Sequence, residues 1–125
     1  MKQAMKFKDL PPLGGQLDGG IFAGLTTKPD GTHYAVVLLP NKGYGLNGYL
    51  AKAWAAKQGG ELPSRPVAAL LFVTVNDHLH PEWHWTSDEF KASRIWLCNF
   101  DDGGQDDHRK SYVGAAVAVR LIPIT

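Results

Sequence analysis

No stretch constrains the fold of this chain more than Gly59-Gly60-Glu61-Leu62-Pro63-Ser64-Arg65-Pro66. Before it, Tyr49 to Gln58 carries Leu50, Ala53, Trp54 and Lys57 at helical spacing. The double glycine ends that helix, because glycine takes the left-handed cap conformation without a Cβ clash. Glu61-Leu62-Pro63 is then a short extended bridge, since the residue before a proline is pushed out of the helical region. Ser64 is placed to cap a second helix, with Pro66 in its first turn, where a missing N–H costs nothing. That helix is expected from Arg65 to Val73 or Val75. Ala68, Ala69, Leu71 and Phe72 make it apolar almost all round, and so buried. Two helices joined by a stiff corner form a scaffold, with Trp54 and Leu62 expected in its core.

The rest alternates like a sheet. Ile21 to Thr27 and His33 to Leu39 are expected as paired strands, joined by a turn at Lys28-Pro29-Asp30-Gly31-Thr32. Both faces of the second strand are apolar, as in a central strand covered on both sides. Asn41 to Gly48, with three glycines and Tyr44, reads as a loop, and its Gly-x-Gly lacks the Lys-Ser/Thr of a phosphate loop. Asp88 to Lys91 is expected as a turn or short helix capped by Thr86, Ser87 or Asp88. Ala92 to Phe100 is the next strand, with Trp96, Cys98 and Phe100 on one face and Ile95 and Leu97 on the other. Ser111 to Ile122 closes the sheet. The small Ala115, Ala116 and Ala118 there predict close packing, and Arg120 calls for a carboxylate, Glu61 or a nearby Asp.

Three of these segments carry a resemblance. Ala51, Trp54, Ala55, Gly59, Gly60, Leu62, Pro63, Ser64 and Arg65 form a corner similar to that of bacterial and phage domains resembling the Lcl adhesin's C-terminal domain, mostly of unassigned function. Trp83-His84-Trp85-Thr86-Ser87, followed by Ala92 and Trp96, resembles the family's tryptophan-serine strand, and Ala118-Val119-Arg120-Leu121-Ile122 its closing strand. The three together span roughly Gly20 to Ile122. The resemblance implies an α+β, C-type-lectin-like fold, two short helices on mostly antiparallel strands, with neighbouring termini. The formylglycine-generating-enzyme domain has a similar corner, but its catalytic cysteine chemistry does not carry over. Animal lectin domains of this fold are commonly disulfide-stapled; this chain has one cysteine, Cys98.

Composition narrows the function classes. The length of 125 residues, with 44% hydrophobic and 20% charged, fits one globular domain. It divides into residues 1–19, an arm or linker broken by Pro11-Pro12 and Gly14-Gly15, and residues 20–125, the lectin-like domain. The arm is either a loosely held terminus or a docking arm that makes a homo-oligomer through Met5, Phe7 and Leu10. A net charge of +1 argues against a nucleic-acid partner and an anionic membrane. Met1 to Lys8 has no apolar stretch after it to make a signal peptide, and no run reaches the ~20 residues of a membrane span. A soluble chain without membrane insertion is expected.

Two segments concentrate chemistry. His78, His80, Glu82 and His84 could offer nitrogen ligands in a zinc-like set with Asp77, but Pro81 interrupts the strand and no His-Glu-x-x-His pattern is present. Asp101-Asp102-Gly103-Gly104-Gln105-Asp106-Asp107-His108-Arg109 offers hard oxygens for calcium, without the spacing of an EF-hand or the Glu-Pro-Asn and Trp-Asn-Asp tripeptides of calcium-dependent lectins. A solvated hairpin tip is expected. Cys98, in a core-like strand with no local base, is a small buried residue. The expected function is a non-enzymatic recognition module that presents Tyr44, Asn99, Asp101, Asp102, Gln105, Asp106, Asp107, His108, Arg109 and Tyr112 to a protein or glycan, with no cofactor, no catalytic set and no metal site. The alternatives are a structural subunit of a phage-type assembly and a metal-dependent enzyme built on His78, His80 and His84.

Overall fold

The computed structural model describes residues 4–125. Its centre is one seven-stranded sheet between two helices, an α+β architecture. The strands are β1 (Gln16–Leu17), β2 (Gly20–Thr27), β3 (His33–Asn47), β4 (Trp83–Lys91), β5 (Arg94–Asn99), β6 (Gln105–Arg109) and β7 (Val113–Pro123). The helices are α1 (Gly48–Lys57) and α2 (Arg65–Val75). Sheet order is β1-β2-β3-β7-β4-β5-β6. Neighbours run antiparallel except β4 and β7, which join in parallel at His84 and Ala115.

The central strands are buried on both faces, as the alternation of β3 requires. Ala35, Val37 and Leu39 face α1, whose Ala51 and Ala55 also meet Ala116 and Ala118 of β7. Val36 and Leu38 face α2, whose Val67, Ala68, Leu71 and Val75 meet Val117 and Val119. Alanines on both sides of the α1 contact let helix and sheet approach closely, the packing expected of the small residues near the end of the chain. The two ends of the described chain meet: Met5 and Ile124 form a bridge, and Thr125 N–H donates to the Met5 carbonyl at 2.9 Å. Met5, Leu10 and Leu17 lie against the α1-side core, while Phe7 is exposed.

The corner between the helices follows its local chemistry. Gly59 has φ 83°, and its N–H donates to the Ala56 carbonyl while Gly60 N–H reaches the Ala55 carbonyl, the paired bonds of a Schellman cap. Ser64 Oγ accepts from Val67 N–H to start α2. Glu61 exchanges both backbone bonds with Val119, at 2.9 and 2.8 Å, pinning the corner to β7. A Cβ on Gly60 would stand 2.5 Å from the Val119 carbonyl oxygen and 2.8 Å from Leu39 Cδ1. Those are a strand backbone and a core side chain, which cannot give way cheaply. Gly60→Ala is therefore expected to cost about 2 kcal/mol through overpacking, and a urea titration showing an unchanged midpoint would refute the pinned corner.

Four local expectations are corrected. α2 is not buried all round: Val67, Ala68, Leu71 and Val75 face the core, while Ala69 and Val73 are exposed. The segment read as a loop over Asn41 to Gly48 continues β3: Lys42, Gly43, Leu46 and Asn47 pair with Val117, Ala116, Gly114 and Val113 across two register shifts. The irregularity its glycines announced is absorbed as bulges, with Gly45 at φ 62°. Asp88 to Lys91 is not a turn or helix but the end of β4, and Asp88 Oδ2 instead accepts from Arg65 N–H at 2.7 Å, capping α2 from 23 residues away. The buried face of α1 is Gly48, Ala51 and Ala55, not the stripe through Leu50 and Lys57; Trp54 is half-buried at its rim and Leu50 is exposed. Leu62 is buried as expected. Arg120 finds its carboxylate in Asp18, at 3.3 Å, rather than Glu61, and also donates to the carbonyls of Asp18 and Gly59 at 2.8 Å.

Candidate functional site

The β5–β6 hairpin has two faces with different chemistry, because successive residues of a strand point to opposite sides. Register pairs Arg94 with Arg109, Trp96 with Asp107 and Cys98 with Gln105 on one face, and Ile95 with His108 and Leu97 with Asp106 on the other.

The first face is tied to α2. The Arg65 guanidinium stacks 3.6 Å from the Trp96 ring centre, and its Nε–H donates to Gln105 Oε1 at 2.8 Å. Gln105 Nε2–H returns a bond to the Arg65 carbonyl at 2.9 Å. Arg94 Nε–H donates to the Asp107 carboxylate, and Nη2–H to the Asp107 carbonyl. Burial pushes the Cys98 thiol pKa up, and a hydrogen bond from Gln105 opposes that shift. The thiol form is therefore favoured over the reactive thiolate.

The turn uses its own polar side chains to hold its shape. Asn99 Oδ1 accepts from Asp101 N–H at 3.0 Å, and Asp102 Oδ1 accepts from Gly104 N–H at 2.8 Å. Gly103, at φ 81°, lies against Phe72 of α2.

The second face is concave. Trp83, Leu97, Asp106, Asp107, His108 and Tyr112 line a cleft of about 260 Å³. The His108 and Tyr112 rings lie 4.3 Å apart, and Tyr112 stands edge-on to Trp85 at 6.2 Å. Trp85, fully buried, donates its indole N–H to the Leu46 carbonyl at 2.8 Å. Behind its aromatic wall the cleft thus has a rigid core. β6 is the last strand of the sheet, yet its middle has already used its main-chain groups. Asp107 N–H goes to Asp106 Oδ1 at 2.8 Å, the Asp107 carbonyl to Arg94, and the Arg109 carbonyl accepts from Tyr112 N–H at 3.0 Å. Such an edge is blunted against pairing with another strand.

Of the ten residues singled out in the sequence, Asp106, Asp107, His108 and Tyr112 meet at this cleft. Gln105 lies on the opposite face, and Asn99, Asp101 and Asp102 belong to the turn. Arg109 is exposed on the α2-side face. Tyr44 is elsewhere, against His80 at 5.4 Å between ring centres. Sequence reasoning missed Trp83 and Leu97 as cleft residues. Two-residue spacing put Trp83 on the face of Trp85, but only strand pairing brings it beside Tyr112.

The histidine segment does not converge. His84 is buried, with Nδ1 2.7 Å from the Glu82 carbonyl; His80 is exposed beside Tyr44; His78 lines a separate cleft with Lys42. Among the described residues, no three His, Cys, Asp or Glu side chains gather closely enough to hold a metal ion. A larger cleft of about 400 Å³ lies at the start of α2, but its Ser64 hydroxyl and Asp88 carboxylate are engaged as caps. Among the described residues, no helix is long and apolar enough to cross a membrane. In comparisons with known proteins, the sequence matches no family model and no curated protein.

Proposed function

We propose that this domain is a non-enzymatic recognition module that binds a protein or glycan ligand in the cleft between Trp83 and Tyr112. The observation that carries the reading is the cleft itself: two aromatic rings, an imidazole and the Asp106 carboxylate converge over a packed core. Aromatic side chains supply rigid contact area at low entropic cost, and a few placed polar groups supply orientation. The C-type-lectin-like scaffold of bacterial and phage adhesin-type domains is part of the proposal. Its support is the helix–corner–helix unit on a mostly antiparallel sheet, with adjoining termini.

A binding screen on glycan arrays and on candidate surface proteins tests the reading, with variants that separate recognition from stability. Asp106→Ala with His108→Ala alters exposed side chains and is expected to change stability by less than about 0.5 kcal/mol while weakening the ligand. Asp107→Ala removes a carboxylate only 16% exposed and paired with Arg94, and is expected to cost about 1–3 kcal/mol. A double variant that keeps full affinity would place the binding face elsewhere.

A further inference from the structure

The chemistry of the cleft selects among ligands. Its walls are the rings of Trp83, Tyr112 and His108, and Leu97 adds apolar surface. Asp107 turns its carboxylate to Arg94 on the α2 side, whereas Asp106, whose side chain is on the cleft face, has no ion-pair partner among the described residues. The neighbouring cations are directed elsewhere. Arg109 belongs to the α2-side face, and Lys110 reaches Glu89 at 3.2 Å. Glu82, which precedes Trp83 in the chain, is exposed as well. His108 is the basic group at the cleft, its ring tilted against that of Tyr112. Aromatic faces attract cations through their quadrupole, and an unpaired carboxylate adds a charge-assisted hydrogen bond.

From this combination we infer that the ligand group taken by the cleft is a cationic side chain, lysine or arginine, of a partner protein. The inference rests on the cleft being the recognition face. The edge of β6 decides how the partner enters. With the Asp107 N–H and carbonyl already bonded within the hairpin, an added strand finds few main-chain partners. The partner therefore docks side chain first, with the ammonium or guanidinium at Asp106 and the aliphatic stem against Trp83 and Tyr112.

The test is an NMR titration of the whole chain with Nα-acetyl-lysine methylamide, its arginine counterpart, the uncharged norleucine counterpart and methyl glucoside. Both basic probes are expected to shift the Trp83 indole N–H and the Leu97 and Tyr112 amides at millimolar concentration. Norleucine should move them far less. Asp106→Asn, which keeps the shape and removes the charge, is expected to weaken the basic probes roughly tenfold. Equal shifts from norleucine would overturn the cationic assignment. Shifts from the glucoside alone would overturn it too, while leaving the cleft as a recognition site. If no probe, array glycan or candidate protein perturbs Trp83 and Tyr112, both the assignment and the recognition role of the cleft fall.

Discussion

Replacing Trp85 with alanine should destabilise the domain by about 3–5 kcal/mol, the range for deleting a large aromatic from a core. Trp85 is fully buried, packs with Ile95, Leu97, Ala51 and Ala55, and supports Tyr112 edge-on. Its loss opens a cavity where α1 meets the β4–β5 part of the sheet. It also strips the Leu46 carbonyl of the indole hydrogen bond that holds the bulged end of β3. Small single domains have only about 5–15 kcal/mol of stability in all, so a substantial part of the total is at stake. Trp85→Phe should cost less, because a ring still fills most of the space. Half-buried Trp54 should tolerate alanine better than Trp85 does. Urea titrations of the three variants check the order; a Trp85→Ala midpoint close to that of the parent would mean that the cleft has no rigid floor.

The parts of this structure legible in the sequence are those decided within a few residues. Gly59, Ser64 and Pro66 mark the end of one helix and the start of the next because caps depend on local dihedral angles and nearby hydrogen bonds. The apolar alternation of residues 34–39 likewise announced a strand covered on both faces. What escaped depends on distant partners. Residues 41–47 looked like a loop by composition, and only the facing edge of β7 makes them a strand. Asp88 has the chemistry of a cap, but the helix it caps begins 23 residues earlier. The cleft shows both kinds of case. Asp106, His108 and Tyr112 stood out as polar and aromatic residues near a turn, whereas Trp83 and Leu97 joined them only through the registers of β4, β5 and β6. Alternation also explains why Gln105 and Asp107, adjacent to Asp106, serve the scaffold: their side chains point to the α2 side.

Acid should unfold this domain earlier than its carboxylates alone would require, and His84 is the cause. Its imidazole is 2% exposed, with its ring centre 4.5 Å from that of Phe100, and its pKa is lowered from 6.5 to about 4. Burial is the largest cause. The Glu82 carbonyl, which accepts from a ring N–H, pulls the other way, and the charges of Lys42 and His80 push it lower still. In the unfolded chain the ring binds its proton near 6.5; in the folded chain it does so near 4. Between those values the unfolded state holds the extra proton, so stability falls as the pH falls. The contribution of the neutral ring is fully present above pH 6.5 and is lost by about pH 4, a change of roughly 3 kcal/mol at 1.36 kcal/mol per unit. His84→Leu removes the titrating group while filling similar space. It leaves no orphaned acceptor, because Phe100 N–H also reaches the Glu82 carbonyl, at 3.1 Å. Denaturation free energies of parent and variant, measured from pH 8 down to pH 4, should differ in slope by up to one proton between the two pKa values and become parallel only well above pH 6.5. Parallel curves throughout the range would show that His84 titrates alike in the folded and unfolded chain, and that the histidine is not buried in its neutral form.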